Sequence, residues 1–216
     1  MIRQFGLAEA LAILSGVQAT ILLSLIAFAG GGLVGLAIAL MRTSEKTWLR
    51  RCAGFYIDFF QGTPLLMQLF LVFYGLPVLG YKVNPWVAVA IGFTLHASAF
   101  LGEIWRGSIQ AVPRGQSEAA YALGLSYVTR MRHVVLPQAM RISVAPTVGF
   151  MVQLIKGTSL AAIIGFVELS RSAQIIASAT YKPLLAYGCA GIIYFALCFP
   201  LSRMSMRLEK RFAVKT

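Results

Sequence analysis

The sequence predicts an all-α polytopic membrane protein, and three observations carry that prediction. The 216 residues are 58% apolar and only 12% charged, with a mean hydropathy of +0.77, whereas about half of a soluble globular chain is apolar and about a quarter charged. Charged side chains are absent from residues 10–41, 59–81, 83–102 and 183–202, and Lys156 is the only charge between Arg141 and Glu168. These apolar runs are continuous rather than alternating, which excludes a transmembrane β-barrel. The same composition excludes a disordered chain, a collagen-like fibre and a disulfide scaffold.

A helix of about 20 apolar residues crosses roughly 30 Å of hydrocarbon. On that basis the chain is one transmembrane domain, 1–216, with five spans near 19–41, 57–79, 86–106, 141–165 and 186–206. Residues 7–15 read as a short interfacial helix leading into the first span. The N-terminus does not read as a cleaved signal peptide: only Arg3 precedes an apolar stretch too long for a signal core.

Odd-numbered spans put loops 42–53 and 107–140 and the C-terminal tail on one side. That side, counted to the span ends, carries fourteen cations: Arg42, Lys46, Arg50, Arg51, Arg106, Arg114, Arg130, Arg132, Arg141, Arg203, Arg207, Lys210, Arg211 and Lys215. The other side carries four: Arg3, Lys82, Arg171 and Lys182. The asymmetry predicts an N-out, C-in orientation. It also accounts for the net charge of +12 without nucleic acid as a partner. Cys52, Cys189 and Cys198, with only His96 and His133 besides, have no metal-ligand spacing and read as small packing residues. No phosphate-binding loop, H-E-x-x-H or G-x-S-x-G is present, so no catalytic role or cofactor is expected. Five helices are few to enclose an aqueous pathway, which makes a second copy or sister subunit and an energy-supplying partner necessary for a transporter.

The segment between spans three and four is long. Within it a short helix is expected from about 115 to 123, with Ser117 as its N-cap, Glu118 in its first turn and Gly124 at its C-terminus. A second short helix is expected from about 126 to 134, ending before Pro137. Here Glu118-Ala119-Ala120, three residues, Gly124, nine residues and Val134-Val135-Leu136-Pro137 resemble the EAA motif of bacterial ABC importer permeases. Gln61-Gly62-Thr63-Pro64-Leu65-Leu66-Met67-Gln68, Glu103-Ile104-Trp105-Arg106-Gly107, Gly115-Gln116 and Lys156-Gly157-Thr158-Ser159-Leu160 resemble further blocks of the polar amino-acid permeases, almost end to end. Gln61, Gly157, Phe100 and Gly102 stand where that family usually has other residues.

The resemblance implies a MetI-like transmembrane domain in the bacterial inner membrane that moves polar amino acids. Its implied partners are a pair of ABC ATPase subunits, a second copy or sister permease, an extracytoplasmic substrate-binding protein, the amino-acid substrate and membrane lipid. ATP is bound by the ATPase, and this chain hydrolyses nothing. The resemblance assigns ATPase coupling to Glu118, Ala119, Ala120, Gly124, Leu136 and Pro137, with Ala119, Ala120 and Ala122 giving a smooth contact surface.

For the substrate pathway the polar side chains Thr63, Gln68, His96, Lys156, Thr158 and Ser159 are the candidates. Lys156 leads them, because a charge at membrane depth costs about 2.5–3.5 kcal/mol to insert and marks function. It follows Arg141 by too few residues for a crossing, and Gly157-Thr158-Ser159 is a place for the helix to be interrupted. Glu103 is expected to pair with Arg106 one turn on. Two competing readings are an ion-gradient carrier using Asp58, Glu103 and Lys156, and a membrane scaffold that transports nothing.

Overall fold

In a computed structural model, residues 4–82 and 84–212 are described; Arg3 and Lys215 of the charge count lie outside them. The described residues form α1 (Leu7–Arg42), α2 (Thr47–Gly62), α3 (Leu65–Val78), α4 (Pro85–Gln110), α5 (Arg114–Ala122), α6 (Tyr127–Ile164), α7 (Leu169–Thr180) and α8 (Pro183–Phe212). Helices α1, α4, α6 and α8 are each long and apolar enough to cross a membrane, and the bent pair α2–α3 is a further candidate.

Helix α1 packs most extensively on α4, and small residues set that approach. A Cβ on Gly31 would lie 2.5 Å from the Ala97 Cβ, and one on Gly35 2.9 Å from the Ser98 carbonyl oxygen. Around this crossing Leu23 and Ala27 of α1, Leu69 of α3, Phe93 and Leu101 of α4 and Phe150 of α6 form the largest buried cluster. A second cluster joins Ile13 of α1 to Leu169, Ala173 and Ile176 of α7 and Ala186 of α8. In a bilayer apolar burial alone does not distinguish protein from lipid, so close packing and polar ties hold spans together. Such ties run from Tyr56 to Ser98 at 2.6 Å, from Trp105 to Thr147 at 3.0 Å and from Ser205 to the Ala145 carbonyl at 2.9 Å.

Three local expectations are corrected. Residues 7–15 are no separate interfacial helix: nothing between them and the first span breaks the ladder, so α1 runs unbroken for 36 residues. The region read as a span at 57–79 is the bent pair, in which α2 and α3 meet at 102°. Pro64 holds Thr63 extended (φ −114°, ψ 141°), as prolines do to the residue before them. Helix α5 starts at Arg114 after Pro113, which leaves Ser117 inside the helix rather than capping it.

The helix beginning after Ser126 does not end before Pro137. It widens into a π turn at Met131–Val135 and continues into the span. Pro137 has no N–H for the His133 carbonyl, and the wider turn accommodates the missing bond. Leu71–Gly75 repeats the arrangement, a π turn two residues ahead of Pro77.

The α1–α4 contact predicts a specific sensitivity. Gly31→Val, which meets backbone atoms of Ala97 and Ser98 at 3.1 Å, destabilises the fold by about 1–3 kcal/mol as overpacking does. Gly32→Val, whose Cβ would meet only the edge of Trp105 at 3.6 Å, is close to neutral. Thermal unfolding of both variants in detergent checks this.

Candidate functional site: a helical loop and a bent helix

The loop between α4 and α6 is built around one left-handed glycine. Gly124 has φ +75°, its N–H donates to the Tyr121 carbonyl at 2.9 Å, and the Leu125 N–H reaches back to Ala120 at 3.2 Å. Together they form a Schellman C-cap. Ser126 then caps the start of α6, accepting from the Thr129 N–H at 3.4 Å. Glu118, Ala119, Tyr121, Ala122 and Leu123 are exposed, whereas Ala120 is buried at 4% exposure. The expected smooth surface is therefore corrected: Ala119 and Ala122 lie on it, and Ala120 faces inward because α5 packs on the Met131–Val135 turn. Leu136 is half-buried and Pro137 exposed. The Arg130 guanidinium stacks near the rings of Tyr121 and Tyr127, at 5.9 and 5.6 Å.

At the α2–α3 bend, Gln68 replaces bonds that Pro64 removes. In an unbroken helix the Phe60 carbonyl would accept from residue 64, which has no N–H. The buried Gln68 side chain supplies the donor instead, its Nε2 lying 2.8 Å from the Phe60 oxygen and 3.0 and 2.9 Å from the Thr63 carbonyl and hydroxyl. Its Oε1 faces His96 Nδ1 at 3.2 Å. An amide oxygen only accepts, so this bond assigns the proton to Nδ1 and leaves His96 Nε2 as an acceptor. The His96 ring lies 4.5 Å from that of Phe100, which stacks on Phe150 at 5.4 Å. Thr63, Gln68 and His96 thus form one hydrogen-bonded unit that fixes the bend.

Lys156, Thr158 and Ser159 form a neighbouring unit. The helix is not broken at Gly157; it tightens to a 3₁₀ helix over Thr158–Ile164. Thr158, buried, donates to the Ile155 carbonyl at 2.7 Å, and Ser159 donates to the Lys156 carbonyl at 2.8 Å. Lys156 is exposed. A Cβ on Gly157 would stand 3.5 Å from Leu65 and 3.6 Å from Phe93. Leu65 begins the helix that carries Gln68, and Phe93 precedes His96 by about one turn, so the two polar units flank the same junction of α3, α4 and α6. Glu103 and Arg106 make a two-pronged ion pair, with Arg106 Nε 2.7 Å from Glu103 Oε2. Asp58 is exposed on α2.

The family model described as binding-protein-dependent transport system inner membrane component matches residues 31–214. The chain belongs to this family. The permease is 39% identical over 197 residues to the L-cystine transport system permease protein TcyB of Bacillus subtilis (strain 168), covering 91% of this chain and 84% of that protein. Among solved structures, it resembles a chain of an amino acid ABC transporter crystallised with histidines, at 35% identity and a TM-score of 0.87, over 93% of this chain and 94% of that one. A chain of the inward-facing MetNI methionine ABC transporter superposes with a TM-score of 0.78 over 97% of this chain and all of that one. At 16% identity that likeness speaks for the fold alone.

One polar centre of the permease escapes sequence reasoning. Glu168, which the sequence uses only as the limit of a nearly charge-free run, is fully buried. Its carboxylate accepts from Tyr194 of α8 at 2.7 Å, from the Arg171 N–H at the start of α7 at 2.8 Å and from Thr20 of α1 at 3.4 Å. Thr20 in turn accepts from the Leu169 N–H at 3.2 Å. Three helices are tied at one point, and the helix N-terminus supplies favourable positive potential. The available signal was a solitary acid beside apolar sequence, which by default marks something other than surface. Glu168→Ala removes the acceptor of the part-buried Arg171 N–H and leaves the Tyr194 hydroxyl only Ser170, at up to about 1–3 kcal/mol in all. Glu168→Gln keeps an acceptor and loses less. A Tm order of wild type, then Gln, then Ala in detergent is the expected outcome.

Proposed function

We propose that this permease is the transmembrane subunit of an ATP-driven importer for amino acids, oriented N-out and C-in. The loop at 107–140 then seats on a cytoplasmic ATPase. The observation that carries the reading is the loop itself. The Glu118–Gly124 spacing folds into a helix locked by a Schellman turn, and that turn leads into α6, which carries Gly157 beside Leu65 and Phe93. The kinship with amino-acid permeases in sequence and structure supports the substrate class. Family membership supports assembly with a second permease, an ATPase pair and an extracytoplasmic binding protein, with ATP bound and hydrolysed by the ATPase. The Glu103–Arg106 pair favours this reading over a gradient-driven carrier, since it occupies a carboxylate that such a carrier would use.

The proposed coupling requires that ATPase closure bias the two states of the permease through different contacts in each. Thr63, Gln68, His96, Lys156, Thr158 and Ser159 are proposed to border the pathway. Glu118, Ala119, Gly124, Leu136 and Pro137 carry the coupling, with the buried Ala120 holding α5 in place.

In proteoliposomes containing the permease, ATPase and binding protein, uptake of an amino acid should require ATP and should not follow a proton or sodium gradient alone. In the same system Gly124→Val forces a β-branched residue to φ +75°, a strongly disfavoured conformation. It should insert normally while ATP-driven uptake falls to background.

Orientation is tested separately, in a background without Cys52, Cys189 and Cys198. Cysteines placed at Asn84 and Ser178 should react with an impermeant reagent from outside the cell, and one at Ser126 should not. Labelling of Ser126→Cys from outside reverses the assignment.

A further inference from the structure

We propose that the last turns of α8 form a binding site for an anionic phospholipid headgroup. Arg203, Arg207 and Lys210 are all exposed and, at intervals of four and three residues, share one face of the helix. With Met206 they border a cleft of about 200 Å³. The opposite face of α8 is taken: Ser205 bonds to the Ala145 carbonyl of α6 at 2.9 Å, and Cys198 and Leu201 pack with Val152 and Ile155. The cations therefore point away from the bundle, toward whatever surrounds it.

Two features make that surrounding a lipid with a negative headgroup. Along the same face, toward the middle of the span, stand the exposed Ile192, Phe195 and Phe199, at 71%, 63% and 44% exposure, an apolar strip suited to acyl chains. At its end the strip turns basic: residues 203–211 carry Arg203, Arg207, Lys210 and Arg211 against Glu209 alone. The Arg203 guanidinium sits 5.3 Å from the Phe199 ring, at the point where apolar gives way to cationic. A phosphate on an acyl-bearing glycerol satisfies both halves at once, as long basic side chains at a membrane interface do. The inference depends on membrane insertion and not on what the permease carries.

The test measures how spin-labelled phosphatidylglycerol and spin-labelled phosphatidylcholine associate with the full chain in phosphatidylcholine vesicles. The wild type is expected to prefer phosphatidylglycerol, and the preference to weaken as salt rises. R203Q/R207Q/K210Q is expected to bring the two lipids to parity, and R207Q alone to lower the preference by up to about fivefold, the weight of one basic residue near a charged surface. K46Q/R51Q/R132Q removes three exposed cations from elsewhere and should leave the preference intact. Equal association of both lipids with the wild type, a preference indifferent to salt, a preference retained by R203Q/R207Q/K210Q, or an equal loss in K46Q/R51Q/R132Q would each overturn the site. If the triple variant does not insert, R207Q and the salt series decide.

Discussion

Hydrocarbon contains no water to complete a backbone hydrogen bond, and that constraint shapes this chain. Each N–H or C=O released from a helix at membrane depth needs a partner from the protein itself. Several departures from regular helix are accordingly accompanied by a side chain or a changed winding that takes up the freed groups. Gln68 replaces the donor Pro64 lacks, Thr158 and Ser159 bond to carbonyls where α6 tightens, and Thr20 and Glu168 take the first N–H groups of α7. At Pro77 and Pro137 the helix widens instead.

The same substitutions decide where chemistry is possible. Polar side chains are costly in an apolar setting unless bonded, so the residues that repair the backbone are also the polar groups of the interior. His96, Gln68 and Thr63 illustrate the point: one amide bridges a bend of 102° and meets an imidazole at its Nδ1. A pathway built beside such a junction uses groups already held in place, which lowers the cost of ordering them around a solute.

Much of this was legible in the sequence. The charge-free runs locate the apolar helices, and the spacing from Glu118 through Pro137 identifies the loop before any geometry is known. The left-handed turn at Gly124 follows from local chemistry alone. What stayed hidden depends on contacts distant in sequence. Glu168 acquires its meaning from Thr20 and Tyr194, 148 and 26 residues away. The inward orientation of Ala120 depends on the turn against which α5 packs. Ser is a good cap in isolation, which points to Ser117, but Pro113 fixes the start of the helix four residues earlier in the chain. Pro137 signals a stop locally, and the π turn that absorbs it is visible only in the fold.

Helix α6 is, mechanically, a beam. From Tyr127 to Gly157 it extends about 45 Å at 1.5 Å per residue, with the exposed loop at one end and the α3–α4 junction at the other. A beam does not stretch, so displacement of the loop end reaches the far end as tilt or translation. It has two soft points, the wide turn at Met131–Val135 and the turn before Pro146, where a ladder bond is missing. The arm from Pro146 to Gly157 is the piece that swings against the junction.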